Sequence, residues 1–178
     1  MGLPRRNLEL KAVDRDRVRS REICEGLGAE AGGVLHQKDI YFDVPRGRLK
    51  LRREKGTPAH LIAYERSNDL GQRESRYRIV EVEDDVELEA ALTGALGIKA
   101  VVQKERQLFL YEGVRIHLDR VEDLGSFIEF EGVVAPDEVD LGRLEKLLAE
   151  LRHSLDIDDA DLIGDSYCDL VAELRSQP

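Results

Sequence analysis

The sequence predicts an α+β fold in which eight antiparallel β-strands close into a barrel and amphipathic helices cover its outside. Eight segments alternate polar and apolar residues, as strands with one buried face do, and short turns join most of them. Three or four other segments carry apolar residues at helical spacing, and such helices need an apolar sheet face to cover. A chain of 178 residues fits a single domain, which we place over residues 1–178.

The first part of the chain predicts one strand, one helix and then four more strands. Residues 6–13 alternate around Leu8 and Leu10, which predicts the first strand. Asp14 favours the N-cap of a helix over residues 15–27, which ends at a pair of glycines. Segments that contain glycine, proline or asparagine then separate four predicted strands, over residues 33–43, 48–54, 59–66 and 74–83.

The second part of the chain predicts three helices and three strands. Apolar residues at helical spacing predict a helix over residues 84–96, which Gly97 ends. A third helix is predicted from Pro136 to His153, because leucines recur there at helical spacing. Asp165 is a candidate cap for a last short helix over 165–175. The three strands lie between the first two of these helices, over residues 100–112, 114–121 and 126–134.

Charged residues occupy alternate positions in several of these strands. Successive side chains of a strand point to opposite faces, so one face is apolar and the other is polar or charged. The polar face holds Asn7, Glu9, Lys11, Gln37, Asp39, Tyr41, Lys50, Arg52, Lys104, Arg106, Arg115, His117, Asp119, Glu129 and Glu131. If helices cover the apolar face and eight strands close the sheet, the charged face lines the interior. The alternation is equally compatible with a solvated outer face that carries weak cross-strand ion pairs.

The types of charge on this face suggest a ligand. Glu129 and Glu131 place like charges side by side, which is unfavourable unless a cation binds there, and carboxylate oxygens suit Mg²⁺ or Mn²⁺. The basic residues Lys50, Arg52, Lys104 and Arg106 likewise repel one another unless an anion lies between them. A metal-chelated polyphosphate would satisfy both groups.

The composition excludes some classes of partner. The formal net charge of −10 argues against nucleic acid or an anionic membrane as the main partner. No apolar run approaches the length of a membrane span and no signal-peptide pattern is visible, so we expect the protein to be cytoplasmic. Cys24 and Cys168 are too few and too isolated for a disulfide framework or a metal cluster, and we expect both in the core.

The polar positions also carry a resemblance to a known family. The segment Asn-Leu-Glu-Leu-Lys at 7–11 resembles the Glu-x-Glu-x-Lys signature of the CYTH family, the triphosphate tunnel metalloenzymes. The resemblance continues through the segments 37–43, 49–52, 104–106, 116–131 and 165–170. It implies an eight-stranded antiparallel tunnel that holds a triphosphate on basic side chains and a divalent metal, Mg²⁺ or Mn²⁺, on acidic ones.

The resemblance also assigns roles to individual residues. It implies a catalytic role for Lys11 and Glu9. The implied metal ligands are Glu9, Glu129 and Glu131, with Asp119 as a further ligand or directly behind one. The implied phosphate-binding residues are Lys11, Lys50, Arg52, Arg66, Lys104, Arg106 and Arg115. The register of their two strands is uncertain, so whether Arg66, Arg76 and Arg78 face the lining remains open. Asn7 departs from the signature, because it stands where the family has its first glutamate.

The function that follows is a metal-dependent reaction of a triphosphate. Relatives in the family include class IV adenylyl cyclases, which convert ATP to cyclic AMP and pyrophosphate. Others are triphosphatases that hydrolyse tripolyphosphate, thiamine triphosphate or nucleoside triphosphates. A non-catalytic module that binds polyphosphate or nucleotides is the alternative, given Asn7. A barrel for apolar ligands would need leucines on its lining. Members of the family can be homodimers, but no interface is evident in the sequence.

Overall fold

Eight β-strands form one closed antiparallel barrel in the computed structural model, which describes residues 4–135, 138 and 140–176. The strands are β1 Arg5–Val13, β2 Glu30–Phe42, β3 Arg48–Glu54, β4 Ala59–Arg66, β5 Arg73–Val82, β6 Ile98–Tyr111, β7 Val114–Val121 and β8 Gly125–Val134. Their order around the barrel is β1-β5-β4-β3-β2-β6-β7-β8, and β8 pairs with β1 to close it. The predicted α+β barrel is therefore confirmed.

Four α-helices accompany the barrel in the part of the chain that the structure describes. They are α1 Arg17–Gly26, α2 Asp85–Leu96, α3 Gly142–Ser154 and α4 Tyr167–Ser176, and a short 3₁₀ helix spans Asp159–Asp161. Within the described residues, none of the helices has both the length and the apolarity needed to cross a membrane. Cys24 and Cys168 are buried and unpaired, as expected.

Two helices begin later than predicted because other side chains cap them. The N-cap of α1 is Asp16, whose carboxylate accepts from the Arg19 N–H, whereas Asp14 accepts from the Ser20 hydroxyl at 2.8 Å. At α4 the Ser166 hydroxyl accepts from the Asp169 N–H at 3.2 Å, and Asp165 does not cap the helix. The polar residues before each helix therefore form turns instead of a first helical turn.

The predicted start of the third helix is also too early. Pro136 lies outside the described residues, and α3 begins at Gly142. The Asp140 carboxylate accepts from the Gly142 N–H at 2.8 Å, and the Glu138 carboxylate accepts from the Asp140 N–H at 3.1 Å. Such local side-chain bonds compete with helical hydrogen bonding, so Glu138 and Asp140 lie outside the helix.

The main apolar core lies between the outer face of the barrel and helices α1 and α3. Leu10, Ile116 and Phe130 are almost fully buried there against Leu148 and Leu151. A second core forms where three leucines of α2 cover the outer face of β2 and β3. Each fully buried side chain of this size contributes roughly 1.5–3 kcal/mol of transfer free energy. The apolar face therefore points outward to the helices, which leaves the charged face inside.

Helix α4 differs from the other three in what it covers. Its residues Tyr167, Cys168 and Val171 pack against side chains that point into the barrel, from Tyr41, Ala100, Val102, Val121 and Phe127. These partners lie where β2 and β7 end and where β6 and β8 begin, so α4 covers one end of the barrel. At the opposite end, the lumen-facing side chain of Ile79 is 39% exposed.

Candidate functional site

The barrel encloses a charged cavity of about 220 Å³, lined by side chains from all eight strands and from the start of α4. Ten of the eleven site residues that the sequence predicts line it: Glu9, Lys11, Lys50, Arg52, Arg66, Lys104, Arg106, Arg115, Glu129 and Glu131. The alternating charges thus face the lumen and not the solvent around the barrel.

One group of cations surrounds the carboxylate of Asp39, which is fully buried. The Lys50 and Lys104 ammonium groups lie 3.0 and 3.2 Å from its Oδ2 atom. Arg52 binds both carboxylate oxygens, each at 2.7 Å. Three cations thus share one carboxylate, and the excess positive charge makes this part of the lumen suited to an anion.

The pKa values of this group follow from burial and crowding. Burial, followed by the charge of Arg52, lowers the pKa of Lys50 to about 7, although Asp39 opposes the shift. Burial lowers the pKa of Lys104 to about 8, again against Asp39. Burial alone would raise the pKa of Asp39, but Arg52, Lys104 and Lys50 hold it well below its ordinary value. Asp39 therefore remains ionised while two of its partners can lose a proton near neutral pH.

Three glutamates form the acidic wall of the lumen on β1 and β8. Glu9 is paired across the strands with Glu131, and Lys11 with Glu129. Glu9 lies 3.1 Å from both Arg66 and Arg73, Glu129 lies 3.2 Å from Lys11, and Glu131 lies 3.0 Å from Arg115. Their side chains are 20%, 22% and 27% exposed, so all three can be reached from the lumen.

The chemistry of this wall fits a hard divalent cation. Carboxylate oxygens are the ligands that Mg²⁺ and Mn²⁺ prefer. His117 Nδ1 is buried, has no hydrogen-bond partner among the described residues, and lies 3.9 Å from Glu129. Among those residues no three acidic, histidine or cysteine side chains converge as a ready metal cluster, since each glutamate pairs with cations. A bound cation would therefore compete with the basic partners of these glutamates.

Asp119 lies behind the lining. It is fully buried, its carboxylate accepts two bonds from Arg106 at 2.6 and 2.5 Å, and the Tyr167 hydroxyl donates to it at 2.9 Å. The sequence left open whether Asp119 is a metal ligand or lies directly behind one, and in the structure it lies behind Arg106, a basic residue of the lining. Asp119 fixes the guanidinium of Arg106, which also reaches Glu129.

Strand β5 contributes residues that sequence reasoning missed. Arg73, Ser75 and Tyr77 point inward, whereas Arg76 and Arg78 are on the outer face. Charged residues occur on both faces of this strand, so alternation alone could not choose between them. The serine and the tyrosine between the arginines were the available signal. Arg66, the third residue left open, lines the lumen.

Asn7, the departure from the signature, is buried and bridges two groups. Its amide nitrogen donates to Glu131, and its oxygen accepts from the Tyr77 hydroxyl at 3.2 Å. A carboxylate at this position would add a negative charge beside Glu131 and could not donate to it unless protonated. The amide therefore orients Glu131 and Tyr77 with no further charge.

The segment before α4 is held by cations of the lumen. Lys11 donates to the carbonyl of Asp165 at 3.3 Å and lies 3.7 Å from the centre of the Tyr167 ring. Arg66 donates to the carbonyl of Gly164 at 2.8 Å. A side chain at Gly164 would meet the backbone oxygen of Asn68 at 2.1 Å, so only glycine fits there. This segment is therefore part of the wall of the site.

Comparison with known proteins places the chain in a family. Residues 5–167 match the family model of the CYTH domain. A protein of Methanocaldococcus jannaschii named "Putative adenylate cyclase MJ0240" is 26% identical over 175 residues, which cover 92% of this chain and 97% of that protein.

Solved structures share the fold. The PH1012 protein from Pyrococcus horikoshii OT3 superposes with a TM-score of 0.81 at 23% identity, over 93% of this chain and 99% of that one. HpAC1 from Hippeastrum, described as a "putative adenylyl cyclase" with a dominant triphosphatase activity, gives a TM-score of 0.63 at 15% identity, with 97% of each chain covered. Since the matched segment spans most of its length, the chain belongs to the CYTH domain family.

Proposed function

We propose that the protein binds a triphosphate-bearing small molecule in the barrel lumen and cleaves it with the help of Mg²⁺ or Mn²⁺. One observation supports this above all others. Lysines and arginines from five strands converge with three reachable glutamates in a single cavity of about 220 Å³. Clustered cations suit a polyanion, and the carboxylates suit the metal that accompanies it.

The cations of the lumen would bind the phosphates. Lys50, Arg52, Lys104 and Arg106 provide ammonium and guanidinium groups whose positions are fixed by Asp39 and Asp119. Groups held in place in this way stabilise charge that develops on phosphate oxygens without the cost of reorganisation. Arg66 and Arg115 extend the same lining toward β4 and β7.

The acidic wall would hold the metal, through Glu9, Glu129 and Glu131. A divalent cation bound there would neutralise negative charge on the phosphates and help to align them for attack. Lys11 is buried beside Glu129, and burial lowers its pKa, which Glu129 partly opposes and the charge of Arg66 reinforces. We assign Lys11 to orient the attacking hydroxyl or water, or to accept its proton.

Two reactions are compatible with this lining. In a cyclase, the ribose 3′-hydroxyl attacks the α-phosphate and pyrophosphate leaves. In a triphosphatase, water attacks a terminal phosphate. The name of the archaeal relative refers to the first reaction, and the description of the Hippeastrum protein refers to both. Asn7 favours a second candidate, a module that binds but does not cleave, because it removes one carboxylate from the signature.

A substrate panel tests the proposal. Purified protein is incubated with ATP, thiamine triphosphate or tripolyphosphate, each with Mg²⁺, with Mn²⁺ and with excess chelator. We expect at least one substrate to be turned over with metal and not in chelator; cyclic AMP identifies a cyclase and free phosphate a triphosphatase. Undiminished turnover in chelator would contradict the proposed dependence on a divalent metal. Tight binding without turnover would support the binding module, and no binding of any triphosphate would refute the site.

The affinity for triphosphate is expected to fall as pH rises from about 7 to about 9, because Lys50 and Lys104 lose protons with pKa values of about 7 and 8. For each lysine that must be protonated to bind the ligand, the affinity falls by up to about tenfold for every pH unit above the pKa of that lysine. The unliganded protein should respond in the opposite direction. Its lysines release protons that the unfolded chain keeps up to about pH 10.5, so its stability rises with pH across this window.

Calorimetric titration with tripolyphosphate over this pH range, corrected for the ionisation of the ligand, measures the effect. The Lys50→Arg variant is the control, since arginine stays charged, and its affinity should depend less on pH. If the affinity of the native protein depended on pH no more than that of Lys50→Arg, the assignment of the two lysines to the phosphates would be wrong.

A further inference from the structure

An uncharged patch interrupts the charged lining of the lumen. It consists of Ile62, Tyr64, Tyr77 and Ile79, which all line the cavity and which we call the β4–β5 patch. Ile62 is paired across the strands with Ile79, and Tyr64 with Tyr77. The four side chains are therefore two adjacent cross-strand pairs on one face, and they form a continuous surface of two tyrosines and two isoleucines.

The patch begins beside the phosphate-binding cations proposed above. Lys50 is paired with Ile62 across β3 and β4, so Lys50, Ile62 and Ile79 form one row across three neighbouring strands. Adjacent strands lie about 4.8 Å apart, which places Ile79 about 10 Å from Lys50 along the row. The Lys50 ammonium lies 5.7 Å from the centre of the Tyr64 ring. A molecule with phosphates at Lys50 could therefore extend over the patch toward the end of the barrel that lies opposite α4.

Ile62 is buried and Tyr64 packs against the apolar cluster around Tyr167, but the position of Ile79 is not explained by the packing of the core. Ile79 points into the lumen at the end away from α4, yet it is 39% exposed. It belongs to none of the three apolar clusters, and neither does Ile62. An inorganic triphosphate, charged along its whole length, would gain nothing from this surface. An apolar part of a ligand would gain from covering it.

The surroundings of the patch favour an uncharged ring. Lys50 and Arg48 both lie 5.7 Å from the centre of the Tyr64 ring, and Arg5 is paired with Tyr77 at the start of β1. These cations would repel a positively charged heterocycle such as the thiazolium of thiamine. The Tyr77 hydroxyl is held by Asn7 at 3.2 Å, which fixes the ring as a flat surface for stacking.

On the basis of these contacts, we propose that the β4–β5 patch binds a planar, uncharged heterocycle, so that the substrate is a nucleoside triphosphate and not tripolyphosphate or thiamine triphosphate. This inference rests on the proposed function, because the phosphates must bind beside Lys50 for the ring to reach the patch. It adds specificity residues to a lining whose charged groups would bind phosphate and metal.

Calorimetric binding of ATP and of tripolyphosphate, each with Mg²⁺, to the native protein and to Ile79→Ser tests the inference. We expect the native protein to bind ATP more tightly than tripolyphosphate or thiamine triphosphate. Ile79→Ser should weaken ATP binding about 5- to 10-fold, since it removes most of an apolar contact, and leave tripolyphosphate binding within about twofold. Thermal melting verifies that the variant is folded.

Val80→Ser is the matched control. Val80 is the next residue of β5, points away from the lumen and is 58% exposed, so its replacement should change neither affinity. Equal effects of Ile79→Ser on ATP and tripolyphosphate, or none on either, would overturn the inference while the triphosphate site remains. Tighter binding of thiamine triphosphate than of ATP would overturn the choice of an uncharged ring. Failure of the native protein to bind any of the three would refute the proposed function itself.

Discussion

Replacement of Asp39 by asparagine is expected to lower the free energy of unfolding by about 3–5 kcal/mol, the usual effect of removing one partner from a buried ion pair. Asp39 is fully buried and is the shared partner of Lys50, Arg52 and Lys104. With an amide at this position, three cations would face one another with no counter-charge between them. Urea denaturation of the variant and of the native protein measures the difference.

The same variant reports on the ligand. An anion in the lumen would supply the negative charge that Asp39→Asn removes, so tripolyphosphate should stabilise the variant more than it stabilises the native protein. Asp43→Asn, at an exposed aspartate just beyond β2, is the control and should stay within about 0.5 kcal/mol of the native protein. A loss below about 1 kcal/mol in Asp39→Asn would show that the cations do not depend on this carboxylate.

Replacement of Glu129 by glutamine or alanine is expected to reduce metal-dependent turnover by on the order of 100-fold or more, as would the same changes at Glu131. Glu129 contributes a reachable carboxylate to the acidic wall and contacts both Lys11 and Arg106. Loss of this carboxylate would weaken metal binding and leave the side chains of Lys11 and Arg106 without one of their acidic partners. Turnover measured over a range of Mn²⁺ concentrations should show that the variant needs more metal than the native protein.

Glu105→Gln is a suitable control for Glu129→Gln. Glu105 lies on the outer face of β6 and pairs with Arg17 at 2.7 Å, away from the lumen. We expect its replacement to leave turnover within about twofold, because an exposed ion pair contributes little. Circular dichroism and melting distinguish lost chemistry from lost structure. Full turnover in a folded Glu129 variant would remove this residue from the catalytic assignment.

The sequence predicted the barrel and most of its lining because alternation is a local property. Three predicted strands, 48–54, 59–66 and 114–121, have the observed bounds, and the inward positions of Glu9, Lys50 and Glu129 follow from simple parity. The prediction that the sheet closes into a barrel needed only two observations, the number of strands and an apolar sheet face for the helices to cover.

Other features depend on contacts between residues far apart in sequence. Strand β5 carries charge on both faces, so Arg73 could not be preferred over Arg76 without knowledge of its partner Glu9. Helix α4 was predicted from its apolar spacing, but its place across the barrel end depends on Phe127 and other lumen-facing residues of several strands. The ion pairs of the site could not be predicted either, since they join strands that meet only in the folded barrel.

The pairing of β1 with both β5 and β8 has a consequence for synthesis of the chain. The ribosome makes β1 first and β8 last, so a nascent chain that ends before β8 has an open sheet with two unpaired edges. Until β8 emerges, Lys11 lacks Glu129, its partner in the folded barrel. The acidic wall is therefore incomplete until β8 has left the ribosome, and chains that stop earlier are exposed to edge-to-edge aggregation.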